Sequence, residues 1–215
     1  MVQELLTLED AISLNKIEIR DMHKKYGNPG IATLLGMLDF DKHFVKALGV
    51  NVWDKQGNEY LDFLGGYGSL NTGHNHPRIV EALDMVKDMP TLLQASLPPL
   101  AGALARNLAL ITPGNLERTF FCNSGAEAVE GALKLARAAT GKSNIIYCHN
   151  SFHGKTMGAL SVTGREKYQR DFLPLLPGCH PVSFGDAQEL DTLMASIKPA
   201  AFIVEPIQGE GGIIE

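Results

Sequence analysis

The sequence has only three cysteines, Cys122, Cys148 and Cys179, and no two of them form a CxxC pair. That argues against a disulfide framework and a cysteine-based metal site, and fits a reducing cytoplasm. There is no long run of one charge: 19 basic residues stand interspersed with 24 acidic ones, so neither a nucleic-acid footprint nor a polybasic membrane surface is expected. Small molecules are the expected partners. The N-terminus, MVQELLTLEDAISLNKIEIR, carries charges within its first residues and no continuous apolar stretch, so it reads as neither a secretory signal nor a spanning helix. Internal repeats and low-complexity segments are missing. Gly65, Gly66 and Gly68 do not form a GxGxxG between a strand and a helix, which argues against a dinucleotide-binding oxidoreductase.

What is present is an ordinary globular composition, 45% hydrophobic and 20% charged over 215 residues, enough to bury a sizeable core. Thr7 and Asp10 resemble a capping box, predicting an N-terminal helix that carries Leu8, Ile12, Ile17 and Ile19 and is closed by Gly27 and Pro29. Val50 and Val52 alternate with polar partners, the chain turns at residues 55–58, and Tyr60, Leu61 and Phe63 return, which reads as a β-hairpin. Helices are expected from Pro77 and from about Pro99 to Ile111. Beyond them strand and helix alternate: RTFFCN (118–123), GAEAVEGALKLARAAT, SNIIYCHN (143–150), DAQELDTLMASI opened by Asp186 and Glu189, and AAFIVEP (200–206). This alternation predicts an α/β sheet layered with helices. A domain boundary is expected near residues 71–76, dividing the chain into 1–72 and 73–215, with the chemistry between the two parts.

Three segments carry chemistry. In FFCNSGAEAVEGALKLAR a strand ends, Ser124, Gly125 and Ala126 turn, and a helix begins with its free N–H groups facing the turn. Such a helix start attracts a phosphate, and the alternative is a plain cap with Glu127 and Glu130 complementing the dipole. In SFHGKTMGALS, Phe152 and His153 follow a strand, where α/β sheets gather ligands; each also reads as an ordinary core aromatic and loop histidine. In VEPIQGEGG a strand delivers Glu205, Gln208 and Glu210 into a glycine-rich turn, either toward partners or into solvent.

In this order, NSGAEAVEGALKLAR, SFHGKTMGALS and VEPIQGEGG resemble the class III aminotransferases, also called ω-aminotransferases. VWDKQGNEYLDFLGGYGSLNTGHNHPRIVEAL resembles the same family upstream, so the likeness runs from about Gly49 to Glu215. It implies pyridoxal 5′-phosphate (PLP) as cofactor, the PLP-dependent transferase fold type I and a homodimer with active sites at the subunit interface. Residues 1–72 then form an N-terminal arm and small-domain segment, and 73–215 the first part of the large-domain sheet, so that the fold is truncated. By the same likeness Ser124, Gly125 and Ala126 hold the PLP phosphate, Phe152 stacks on the pyridine ring with His153 beside it, and Glu205 lies near the ring. Glu210 matches a carboxylate that pairs with a mobile substrate-binding arginine expected beyond Glu215, and Tyr67 matches a residue lining the substrate entrance.

The family's next signatures, an aspartate that keeps the pyridine nitrogen protonated and the Schiff-base lysine, match nothing here, so the chain is expected to be an N-terminal fragment without catalytic residues of its own. The alternative is a non-catalytic partner or regulatory chain that keeps the phosphate and dimer surfaces. Lys134 and Lys142 read as solvated charges, Lys134 as the i,i+4 partner of Glu130. Lys155 stands after Phe-His-Gly, where amino-acid-specific relatives carry an arginine that grips a substrate carboxylate. Lysine is a point charge and arginine a planar fork, so the exchange turns the expected donor toward a diamine such as putrescine, as in putrescine aminotransferases, with a 2-oxo acid as acceptor; the alternative is that Lys155 faces water.

Overall fold

The structure is a computed structural model that describes residues 5–92 and 95–215. It divides into two compact units, Met1–Gln94 and Ala95–Glu215.

In the first unit the expected N-terminal helix is two helices, α1 (Leu8–Ser13) and α2 (Lys16–Tyr26). Thr7 and Asp10 form the expected capping box, but a second one follows: the Asn15 side chain accepts from the amides of Ile17 and Glu18, and Glu18 accepts from the Asn15 amide. The apolar pattern runs across this break because Asn15 is as good a helix start as it is a poor helix interior. Gly27 ends α2, whereas Pro29 opens a third helix, α3 (Pro29–Met37), at a position where its missing N–H costs nothing. The hairpin is present as β2 (Asn51–Asp54) and β3 (Glu59–Leu61), and β1 (Phe44–Leu48) adds to it antiparallel on the other side of β2. Asp54, almost fully buried, holds the turn: its carboxylate accepts from the amides of Gln56 and Asn58, from the Asn58 side chain and from the Tyr60 hydroxyl, at 2.8–3.0 Å. Helix α4 (Pro77–Val86) starts at its proline as expected.

The second unit opens with α5 (Pro99–Ile111) and is organised around one strand. β4 (Ile145–Cys148) lies between β5 (Cys179–Val182) and β6 (Ala201–Phe202), parallel to both, and all four of its side chains are buried. Alternation sends Ile145 and Tyr147 toward Leu133 of α6 (Gly125–Thr140), and Ile146 and Cys148 toward Leu190 and Leu193 of α9 (Ala187–Ile197). A strand covered on both faces reads as an unbroken apolar run, which IIYC is. Helices α7 (Met157–Ser161) and α8 (Glu166–Gln169) follow β4.

Two expected strands are corrected. Residues 118–123 form none: they have no ladder partner among the described residues, and Phe120 is 84% exposed. The strand expected over 200–206 is only Ala201–Phe202, because β4 alone pairs with it and the pairing ends at Phe202. β5 escaped the sequence reading because His180 and Pro181 interrupt its apolar pattern.

Candidate functional site

The site is built where β4 ends. Ser151, fully buried, donates its hydroxyl to the Val162 carbonyl and accepts the Gly164 amide, closing the segment between them into a tight loop. A side chain at Gly164 would meet the Asn150 amide nitrogen at 2.9 Å and the Cys148 carbonyl more closely still, so only glycine lets the chain return there. Buried Thr163 braces the inside of the loop, accepting from the His153 amide at 3.0 Å with its hydroxyl 3.0 Å from the Gly154 and Ala159 carbonyls.

Gly154 joins this loop to the start of α6. Its φ is +131°, and a Cβ there would lie 2.8 Å from that of Ala126. Two segments some thirty positions apart are therefore brought together by the absence of a side chain. Ser124 is the N-cap of α6: its hydroxyl oxygen accepts from the Glu127 amide at 3.2 Å, and its carbonyl takes the Ala128 amide. The amides of Gly125 and Ala126 have no acceptor among the described residues, and the space where a Gly125 side chain would stand is open.

Glu205 is brought to the same loop, its carboxylate accepting the Phe152 amide at 3.0 Å. His153 is half-buried; burial lowers its pKa below the ordinary 6.5, opposed by the nearby Glu205 charge, so the ring is neutral at pH 7. Its Nε2 is buried with no hydrogen-bond partner among the described residues. Buried Gln208 donates to the His149 carbonyl at 2.8 Å and anchors the glycine-rich turn.

Around Phe152 stands a cluster that the sequence did not announce. The Tyr168 ring meets Phe152 edge-on at 6.1 Å, and Lys155, Arg165 and Lys167 lie within 6 Å of that ring. Glu210 pairs with Arg165 at 3.1 Å and lies 3.3 Å from the Tyr168 hydroxyl, so its arginine partner here belongs to the chain itself. Lys155 is exposed, with Nζ 4.9 Å from the Tyr168 ring centre and 5.9 Å from that of Phe152. Glu130 does not serve as a surface partner of Lys134: its carboxylate accepts the Gly158 and Ala159 amides. Lys142 reaches the Pro199 carbonyl at 3.4 Å.

Tyr67 belongs to the first unit. It is 87% exposed in the turn 65–68, whose four residues all have positive φ. Asp62 fastens this turn by accepting the Leu64 and Gly65 amides, and is itself bonded to His74 at 2.8 Å. Among the described residues no helix is long and apolar enough to cross a membrane.

Residues 39–215 match the family profile Aminotransferase class-III. The chain is 43% identical over 225 residues to the putrescine aminotransferase of Pectobacterium atrosepticum, covering 98% of this chain and 48% of that protein. The ornithine aminotransferase structure from Toxoplasma gondii superposes with a TM-score of 0.83 at 32% identity, over 95% of this chain and 49% of that one. A taurine:2-oxoglutarate aminotransferase from Bifidobacterium kashiwanohense, in complex with PLP and glutamate, gives a TM-score of 0.77 at 26% identity, over 94% and 50%. The chain thus spans about half the length of these three relatives.

Proposed function

The chain belongs to the class III aminotransferases, a PLP-dependent family, and from that premise we propose that it contributes the cofactor-binding part of an enzyme moving an amino group from an ω-amine, diamine or ω-amino acid to a 2-oxo acid. One observation carries the reading: Gly154 packs against Ala126, so the open amides of Gly125 and Ala126 and the loop bearing Phe152, His153 and Lys155 form one surface.

The residues fit PLP. The two free amides and the Ser124 hydroxyl, whose oxygen accepts from Glu127 and whose proton has no acceptor among the described residues, suit a phosphate at the positive end of α6. Phe152 suits the flat ring, and the orphaned Nε2 of neutral His153 suits a polar ring substituent. PLP bound there supplies an electron sink for the substrate carbon. The protein's own part is positional. Glu205 holds the Phe152 backbone, Thr163 that of His153, and the Arg165–Glu210 pair fixes the glycine-rich turn beside them.

Lys155 sets the donor preference in this reading. A donor's α-carboxylate, desolvated on binding, needs a planar two-pronged partner, which lysine does not supply; a diamine carries no such group. Putrescine-like donors are favoured. Tyr67 lines the entrance, residues 1–72 belong to the small domain and 73–215 to the large one, and the enzyme is a cytoplasmic homodimer. No lysine among the 215 residues matches the family's catalytic lysine, so this stretch binds cofactor without completing the reaction.

The test is an amino-transfer assay on the protein translated from its native gene, supplied with PLP, putrescine or ornithine, and a 2-oxo acid. Transfer from putrescine in preference to ornithine is expected, and none from residues 1–215 alone. Absence of transfer from every donor would overturn the reading.

A further inference from the structure

Glu130 stands one and a half turns into α6, and its carboxylate leaves its own helix for partners 28 and 29 residues on. Oε1 accepts the Gly158 amide at 2.8 Å and the Ala159 amide at 3.3 Å, the first residues of α7 after Met157. These amides directly follow the loop that bears Phe152, His153 and Lys155, and within that loop Gly154 meets α6 at Ala126. The loop is therefore held to one helix at two points.

We propose that Glu130 is a positioning residue for the cofactor: its bond to Gly158 and Ala159 fixes the Phe152–Lys155 loop against the start of α6, so that the ring-facing and phosphate-facing groups keep one spacing. The inference rests on the PLP reading above. Gly158 belongs to the same device. A Cβ there would lie 2.7 Å from the Glu130 Cδ, nearer still to Oε2 and 2.8 Å from Oε1, and the flexible carboxylate, not the backbone, is what would yield. A glycine inside a helical segment otherwise costs about 1 kcal/mol relative to alanine. Its presence in the MGALS helix is explained by the incoming carboxylate.

The test is a set of variants, Glu130→Ala, Glu130→Gln, Gly158→Ala and Glu130→Ala/Gly158→Ala, in the protein translated from its native gene. Binding of pyridoxamine 5′-phosphate, which needs no covalent bond to the protein, is measured by titration alongside Tm and the kcat and KM of amino transfer. Glu130→Ala should raise the Kd about tenfold, or about 1.4 kcal/mol. Gly158→Ala should do the same by expelling the carboxylate. The double variant should be no worse than either, because the group that the methyl displaces is already gone. Glu130→Gln keeps an oxygen for both amides and should stay within about threefold of wild type, the loss of charge assistance being the smaller part. A lower Tm with unchanged Kd and KM would make Glu130 merely structural, and additive losses in the double variant would break the Glu130–Gly158 link; either overturns the proposal. Failure of the wild-type protein itself to bind pyridoxamine 5′-phosphate would instead overturn the PLP reading.

Discussion

Lys155→Arg is the substitution whose outcome says most about the substrate. Lys155 now rests on two aromatic faces, 4.9 Å from the Tyr168 ring centre and 5.9 Å from that of Phe152. To reach a carboxylate its ammonium leaves them, at a cost of about 0.5–1 kcal/mol for an exposed cation–π contact. A guanidinium stacks on a ring while bonding through its edge, so arginine avoids that cost and adds a second prong. With a charge-assisted hydrogen bond contributing about 1.5–3 kcal/mol on top of the cost avoided, a gain of about 2–4 kcal/mol is expected for donors with an α-carboxylate. That is about thirtyfold to several hundredfold in kcat/KM for ornithine. Putrescine should stay level or fall, because a fixed guanidinium repels its distal ammonium. The assay compares kcat/KM for the two donors at one 2-oxo acid concentration, in wild type and variant. Equal changes for both donors would refute the reasoning, since Lys155 would then not meet the substrate.

Three other outcomes are expected. Because burial lowers the pKa of His153 below 6.5, the unfolded chain binds the extra proton first as the pH falls, so stability is lost below about pH 6.5 down through the lower folded value; the Tm of wild type should drop more between pH 7.5 and 5.5 than that of His153→Asn. Gly154→Ala puts a Cβ at φ +131° and 2.8 Å from the Ala126 Cβ, an overpacked and strained position costing on the order of 3 kcal/mol by urea denaturation, and it should weaken pyridoxamine 5′-phosphate binding as well. Asp54→Ala should lower the Tm more than Asn58→Ala, since it removes the acceptor for four hydrogen bonds and Asn58→Ala removes one side-chain donor.

Elements with strong local chemistry were legible in the sequence. Pro77 and Pro99 open their helices, Ser124 caps a helix that ends before Gly141, and IIYC is a doubly covered strand; each follows from a cap, a breaker or an apolar run. What depended on a distant partner was not. FFCN has the apolar content of a strand but no neighbour to pair with among the described residues, and CHPV has a neighbour but little apolar content. The break at Asn15 lay in plain view as a second capping box, and the apolar spacing across it masked it. At the site the sequence points to both Phe152 and Glu205, and the structure joins them through a bond from the Phe152 amide to the Glu205 carboxylate that no spacing rule reveals. Arg165 and Tyr168 lie 45 and 42 residues before Glu210, and their meeting with it follows the return of the chain at Gly164. The i,i+4 spacing pairs Glu130 with Lys134 on its own helix, whereas its partners lie 28 and 29 residues on.

The central claim is that the start of α6 and the Phe152–Lys155 loop together hold a phosphorylated pyridine cofactor. It is tested most directly by titrating the protein translated from its native gene, in parallel, with pyridoxamine 5′-phosphate and with pyridoxamine. If the Gly125 and Ala126 amides and Ser124 grip the phosphate, the phosphorylated form should bind at least about a hundredfold more tightly, as two charge-assisted hydrogen bonds of about 1.5 kcal/mol each require, and inorganic phosphate should compete. Equal affinity for the two compounds, with no competition by phosphate, would contradict it.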